Sequence, residues 1–215
     1  MNNSILLDPM PTDKPLIGKS HWWGAPDLPD GVPYPYVMVH DPDEDEDYAE
    51  PLTFICQIRL DEVASLDPSC LLPHKGMLYI FAAIDYFLGE DSPLELPLHG
   101  AAGDMVRVLY VEDVPDDVRP YVLCWEGTDE SVFRPAEALR LSDGPLDADG
   151  LSMLSVPYHD EVSDAWPGYV SLLQIQESDR WGLRFFDCGT LYLLIHPDDL
   201  RARRFDRIVC DVFTY

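Results

Sequence analysis

The chain has little of several things, and each shortage excludes a class of protein. No apolar run approaches the roughly 18 residues a membrane-spanning helix needs, so no such span is expected. The first residues, Met1 to Pro9, lack a basic start and a long apolar stretch, so no secretory signal is expected there. Cysteines are few: Cys56, Cys70, Cys124, Cys188 and Cys210, an odd number with no C-x-x-C pair. That usage fits a reducing, cytoplasmic setting with neither a disulfide framework nor a zinc site. Phosphate-cradling loops, a dinucleotide fingerprint and a Gly-x-Ser-x-Gly elbow are all missing from the sequence, so no cofactor and no catalytic residue is expected.

Positive charge is the scarcest item. Fourteen Lys and Arg residues stand against 40 Asp and Glu, for a formal net charge of −26. The excess is spread over both halves of the chain. Such a surface repels phosphate backbones and anionic lipid, so neither nucleic acid nor membrane is an expected partner. It favours a basic protein or a cation. The plainer reading is that the charge keeps the protein soluble, because net charge bears on solubility before it bears on partners.

What is present indicates a globular protein. Hydrophobic residues make up 47% of 215 positions, enough for a sizeable core without staples. Twenty prolines argue against long uninterrupted helices. One phrase occurs twice. Phe54-Ile55-Cys56-Gln57-Ile58 is answered by Gly76-Met77-Leu78-Tyr79-Ile80-Phe81, and Ser171-Leu172-Leu173-Gln174-Ile175 by Gly189-Thr190-Leu191-Tyr192-Leu193-Leu194. Each copy reads as an apolar strand ending in Gln-Ile, then a second strand opening Gly-x-Leu-Tyr. The echo is read as an internal duplication of two pseudo-symmetric strand pairs. The expected organisation is one domain over 1–215, with repeat halves around 51–112 and 169–213.

Other stretches carry local expectations. Residues 1–20 read as an extended lead-in. The run from Ser20 to Pro35 reads as a packed loop, with Trp22 and Trp23 as apolar anchors. Asp41 to Glu50 holds seven carboxylates in ten residues. As an EF-hand begun at Asp41 it would need Gly where Glu46 stands and Glu where Leu52 stands, so a solvated acidic loop is expected instead. Asp61 is expected to cap a turn of helix, Tyr121–Trp125 to make a strand, and Pro135–Leu141 a short helix. His196 to Phe205 should be a helix, with Pro197 and two acids in its first turn and arginines in its last.

The candidate site residues are His21, Trp22, Gln57, Gln174 and Asp187. A glutamine inside an apolar strand must find partners, since an unsatisfied buried amide costs about 1–3 kcal/mol. Gln57 and Gln174 at matched places could line a central cleft, or could each tie down a loop, which is the preferred reading. His21 beside two tryptophans could be a base in an aromatic pocket, or a loop histidine. Asp187 before Gly189 is a natural turn-maker.

Several motifs taken in order carry a family resemblance: Gly24-Ala25-Pro26-Asp27-Leu28-Pro29 with Tyr34-Pro35, Pro51 to Ile58, Leu72-Pro73-His74-Lys75-Gly76-Met77-Leu78, Leu173-Gln174-Ile175, Asp187 to Tyr192, and Asp198 to Phe205. Together they resemble the bacterial YwqG-like proteins, a domain of unknown function. The chain departs from that pattern at Trp23-Gly24, where the family usually has Gly-Gly, and at Tyr34-Pro35, where it often has Trp-Pro. The resemblance implies an α+β fold, mainly antiparallel β-sheet with short helices and an internal duplication of two pseudo-symmetric strand pairs, and no established activity, catalytic residue or cofactor. Some relatives stand beside bacterial toxin genes, which by analogy points to an immunity- or antitoxin-like role. The expected function is a non-enzymatic binding module that engages a basic protein. The alternative is an enzyme or small-ligand binder using a cleft between the repeats.

Overall fold

The computed structural model describes residues 3–84, 96–186 and 188–214. Along the chain run β1 (Ser4–Pro11), β2 (His21–Trp22), β3 (Tyr36–Asp41), β4 (Glu46–Pro51), β5 (Thr53–Arg59), α1 (Leu60–Val63), β6 (Met77–Ala82), β7 (His99–Ala101) and β8 (Val106–Val111). Then follow β9 (Glu137–Gly144), β10 (Ser152–Met153), α2 (Asp160–Ala165), β11 (Val170–Gln176), β12 (Thr190–Ile195), α3 (Pro197–Arg201) and β13 (Val209–Phe213). Among the described residues the architecture is mainly antiparallel sheet with a few short helices: prolines interrupt helices, and short apolar runs buried along their length form the central strands.

Eleven strands form one sheet in the order β7-β13-β12-β11-β10-β1-β9-β2-β5-β6-β8. The strand pairs of the doubled phrase, β5–β6 and β11–β12, lie toward opposite ends of it. β6 is buried throughout because both its faces are covered. Leu78, Ile80 and Ala82 join the main core, while Met77, Tyr79 and Phe81 join a second cluster with Leu28, Tyr34, Leu52 and Phe54. β12 divides the same way: Leu191, Leu193 and Ile195 enter the main core, and Tyr192 and Leu194 pack with Val162. The sheet curls back on itself. Arg203, just after α3, places its guanidinium 4.7 Å from the ring centre of Tyr110 on β8, at the other edge of the sheet. Curling of this kind follows from strand twist accumulated over many strands.

Five expectations are corrected. The lead-in is a strand: β1 lies in the middle of the sheet, pairing with β9 over eight positions from Ser4↔Gly144 to Pro11↔Glu137, and with β10 through Ile5↔Met153. Its Ile5 and Leu7 are buried, which anchors a segment too short and proline-broken to read as core. The expected helix at Pro135–Leu141 is strand β9. Its Glu, Ala, Leu and Arg favour helix, but the long pairing with β1 outweighs a weak local preference. The acidic stretch is a hairpin instead of a loop: β3 and β4 pair from Tyr36↔Pro51 to Asp41↔Glu46 as a separate two-stranded sheet. Tyr121–Trp125 makes no strand, only an isolated bridge from Cys124 to Ser131. Asp61 does not cap α1, which starts one residue earlier at Leu60 without a side-chain cap.

The helix after His196 forms but is shorter than expected: it ends at Arg201, and Arg203, Arg204 and Phe205 lie beyond it. Pro197 stands in its first turn, Asp198 and Asp199 follow, Arg201 ends it, and the His196 ring accepts from the Asp198 N–H. The two glycines that open the Gly-x-Leu-Tyr strands have a steric reason. A Cβ on Gly76 (φ +88°) would lie 2.2 Å from the Val111 carbonyl oxygen, and one on Gly189 would lie 1.8 Å from that of Phe185.

Candidate functional site

The candidate residues of the first half converge on a buried polar knot at β2 and β5. β2 is only His21 and Trp22, inserted between β5 and β9: His21 faces Gln57 and Ala138, and Trp22 faces Cys56 and Glu137. The chain then turns sharply, with Trp23 in the left-handed region at φ 54°. This turn brings the Trp23 carbonyl to the His21 ring, whose Nδ1–H donates to it at 2.6 Å. A carbonyl can only accept, so the neutral imidazole keeps its proton on Nδ1. Burial, the largest cause, holds the His21 pKa below its ordinary value. The Trp23 carbonyl, Asp27 and Gln57 oppose that lowering.

Gln57 fastens the loop after β2 onto the sheet. Its Oε1 accepts from the Asp27 N–H at 2.9 Å, and its Nε2 donates to the Lys19 carbonyl at 2.9 Å and to Asp27 Oδ2 at 2.7 Å. Asp27, 1% exposed, also accepts from the Gly18 N–H at 2.8 Å. The Tyr79 hydroxyl, on the strand paired to β5, donates to the Asp27 carbonyl at 2.8 Å. Burial first, and then Asp27, push the Tyr79 pKa upward. Trp22 seals the other side: its ring centre lies 4.9 Å from that of Trp23 and 5.3 Å from that of Trp181.

Gln174 occupies a similar setting on β11. Its Oε1 accepts from the Tyr158 N–H at 3.4 Å, and its Nε2 donates to the carbonyls of Ala148 and Gly150 at 3.0 and 2.9 Å. Its strand neighbour Tyr192 hydrogen-bonds His159 Nδ1 at 2.5 Å, and His159 stacks on Phe213. The structure thus joins His21, Trp22 and Gln57 in one place and puts Gln174 in another. β2, β9, β1 and β10 stand between β5 and β11, a separation of roughly 24 Å measured along the sheet. Asp187 lies outside the described residues. Both glutamines are buried, Gln174 satisfied by loop backbone and Gln57 by loop backbone and the Asp27 carboxylate.

A family model described as a domain of unknown function (DUF1963) matches residues 20–168 and 159–212. The chain belongs to this family. No curated protein matches it. The DUF1963 match begins at Ser20, at the edge of the knot around β2, and extends into β13. Asp27 and Tyr79 are the members of that knot which the sequence reading missed. Asp27 sits inside a proline-rich turn, where an acid reads as a turn-maker, and only the fold brings it against Gln57. Tyr79 was visible as part of the repeated Gly-x-Leu-Tyr phrase, and its match to Tyr192 was the available signal. Among the described residues of this DUF1963 chain, no group of three His, Cys, Asp or Glu side chains could hold a metal ion. No described helix is long and apolar enough to cross a membrane.

The surface differs sharply from the knot. Ten of the 14 Lys and Arg residues already lie against carboxylates, among them Lys75 with Asp113 at 2.5 Å, Arg180 with Glu137 at 2.5 Å and Arg204 with Asp199 at 2.5 Å. The cations are therefore largely occupied locally, and the surplus of carboxylates faces solvent.

Proposed function

We propose that this chain is a non-enzymatic binding module whose acidic surface engages a basic protein. The observation that carries the reading is the one just given: the few cations are spent on neighbouring carboxylates, which leaves a field of one sign over the surface. Such a field attracts a basic protein from a distance and speeds encounter. The polar knots support a scaffold role for the glutamines, because each amide is consumed by its own loop: Gln174 by backbone alone, Gln57 by backbone and the Asp27 carboxylate. An immunity- or antitoxin-like task for a basic toxin fits the same charge. A reducing, cytoplasmic setting fits five cysteines none of which is in a disulfide. The narrower YwqG-like assignment rests on the motifs quoted above.

The fold reading extends to an internal duplication. Several paired features support it. Gln57 faces Tyr79 and Gln174 faces Tyr192. Both strand pairs slip register two residues before the glutamine, at Ile55 and at Leu172. Both two-residue strands, β2 and β10, are followed at once by a left-handed non-glycine residue, Trp23 or Leu154. Lys19 and Gly150, whose carbonyls take the amide protons, each stand two residues before those strands, and Asp27 and Tyr158 each stand six after their start. In this reading the first strand of each repeat is exchanged: β1 pairs with β10 of the second repeat, and β9 with β2 of the first.

Titration calorimetry tests the binding reading against a panel of small basic proteins, with neutral proteins as controls, at about 20 mM and about 300 mM salt. Saturable binding that weakens with salt is expected. Absence of binding at low salt, or binding indifferent to salt, overturns it.

A further inference from the structure

We propose that the β3–β4 hairpin is the docking arm of the chain, and that it takes an extended protein segment in which Lys or Arg stands beside apolar side chains. The inference rests on the reading of the chain as a binder of basic proteins and adds where the partner sits. Three independent properties of the hairpin converge. The first is its separateness: it forms a two-stranded sheet outside the main one, so both strands keep an unpaired edge able to accept an added strand.

The second is an exposed apolar patch. Cross-strand partners share a face, so Tyr36 with Pro51 and Met38 with Ala49 lie on one side, and Val37 with Glu50 on the other. Val37 is buried, and both it and Val39 pack on the core cluster around Tyr34 and Phe81. That fixes which side faces the protein. The outward side carries Met38, 65% exposed, beside Tyr36, 41% exposed, whose ring rests edge-on against Tyr34 at 5.7 Å and so holds the pair as a fixed apolar patch.

The third is charge. Asp43, Glu44 and Glu46 have no cation against them, and Asp45 and Asp47 have only His40, at 3.8 and 3.0 Å. Glu50, at the base of the hairpin, is partly buried, and that burial raises its pKa with no cation to offset the cost. An apolar face bordered by unpaired carboxylates is complementary to a segment that is both basic and apolar. A purely basic ligand would leave Met38 and Tyr36 in water, and a purely apolar one would leave the carboxylates unneutralised.

The test uses the full chain and two fluorescein-labelled peptide probes of equal length, one of alternating arginine and leucine and one of arginine and serine, followed by fluorescence anisotropy at low salt. Three variants are compared: Met38→Ser; a hairpin triple, Asp45→Asn, Glu46→Gln and Asp47→Asn; and a control triple, Asp116→Asn, Asp117→Asn and Asp129→Asn, with the same charge change on exposed residues elsewhere. The hairpin triple is expected to weaken both probes about tenfold, as three lost charge pairs imply, and the control triple less than about twofold. Met38→Ser is expected to weaken the arginine–leucine probe about fivefold and leave the arginine–serine probe unchanged. Circular dichroism of each variant confirms the fold, and all the substituted side chains are exposed. Equal losses in the two triples, or indifference of the arginine–leucine probe to Met38→Ser, overturn the assignment of the hairpin while leaving basic-protein binding intact. Failure of the unmodified chain to bind either probe overturns both.

Discussion

The replacement Gln57→Leu separates the anchoring role of the two glutamines from any generic effect of core mutation. The volume is nearly kept, so the loss is one of hydrogen bonds. Three go: the Asp27 N–H loses its acceptor, the Lys19 carbonyl loses a donor, and the Asp27 carboxylate loses its contact at 2.7 Å. Neutral bonds of this kind contribute about 1 kcal/mol each, and a bond to a charged group about 1.5–3 kcal/mol. Asp27 keeps only the Gly18 N–H as a close partner for that carboxylate oxygen. The sum is roughly 3–5 kcal/mol. Gln174→Leu is gentler. Its acceptor contact is long at 3.4 Å, and its other two partners are backbone carbonyls, which tolerate an empty lone pair better than a charged group does. About 2–3 kcal/mol is expected there. Urea denaturation at fixed slope gives both numbers, and in a chain of this size each 1 kcal/mol moves Tm by about 2–4 °C. Equal costs, or a larger cost at Gln174, refute the reasoning. A double-mutant cycle of Gln57→Leu with Asp27→Asn sharpens it, because the two changes share one bond and their effects should fall short of additive.

Other outcomes follow from the same structure. Gly76→Ala places a methyl 2.2 Å from the Val111 carbonyl oxygen at a left-handed backbone, so a loss of more than about 2 kcal/mol is expected in the same denaturation assay. The buried His21 holds its pKa below 6.5, chiefly by desolvation, and His159 is lowered by the same cause. The unfolded chain then binds protons that the folded one refuses. Stability is full above pH 6.5 and declines as pH falls below it toward the depressed folded values. In His21→Asn, which keeps a donor for the Trp23 carbonyl, the urea midpoint should fall less steeply over that interval, and an unchanged slope contradicts the assignment. Thiol reagents should label Cys70 and Cys188, which are exposed, in the native protein. Cys210, with its pKa pushed up to about 12 by burial, and the fully buried Cys56 should react only on unfolding, as mass spectrometry of the labelled peptides would read.

Much of the fold was legible in residue pattern. The strands at Phe54, Met77, Val170 and Thr190 announce themselves because each is a short apolar run bounded by turn residues, and such runs are buried wherever they end up. The helix at Pro197 carries its own start and stop chemistry. The need of Gln57 and Gln174 for partners followed from burying an amide in an apolar strand. Their partners were not legible, because Asp27 and Lys19 are brought to Gln57 by a turn around the two-residue strand β2, and no periodicity marks two residues.

Composition and local pattern by themselves determined a globular, strand-rich protein with a large surplus of acids, two matched strand pairs and two buried amides in want of partners. Those are properties of single segments, set by burial, turn chemistry and charge. Tertiary structure alone decided that residues 4–11 are a central strand, that 137–144 abandon their helical preference to pair with them, and that the acidic run is a hairpin with an apolar face. Each of these depends on a partner strand, one supplied from more than a hundred residues away and the other across a short turn. A strand's conformation is secured by pairing, and pairing between segments leaves no mark on the residues of either one alone.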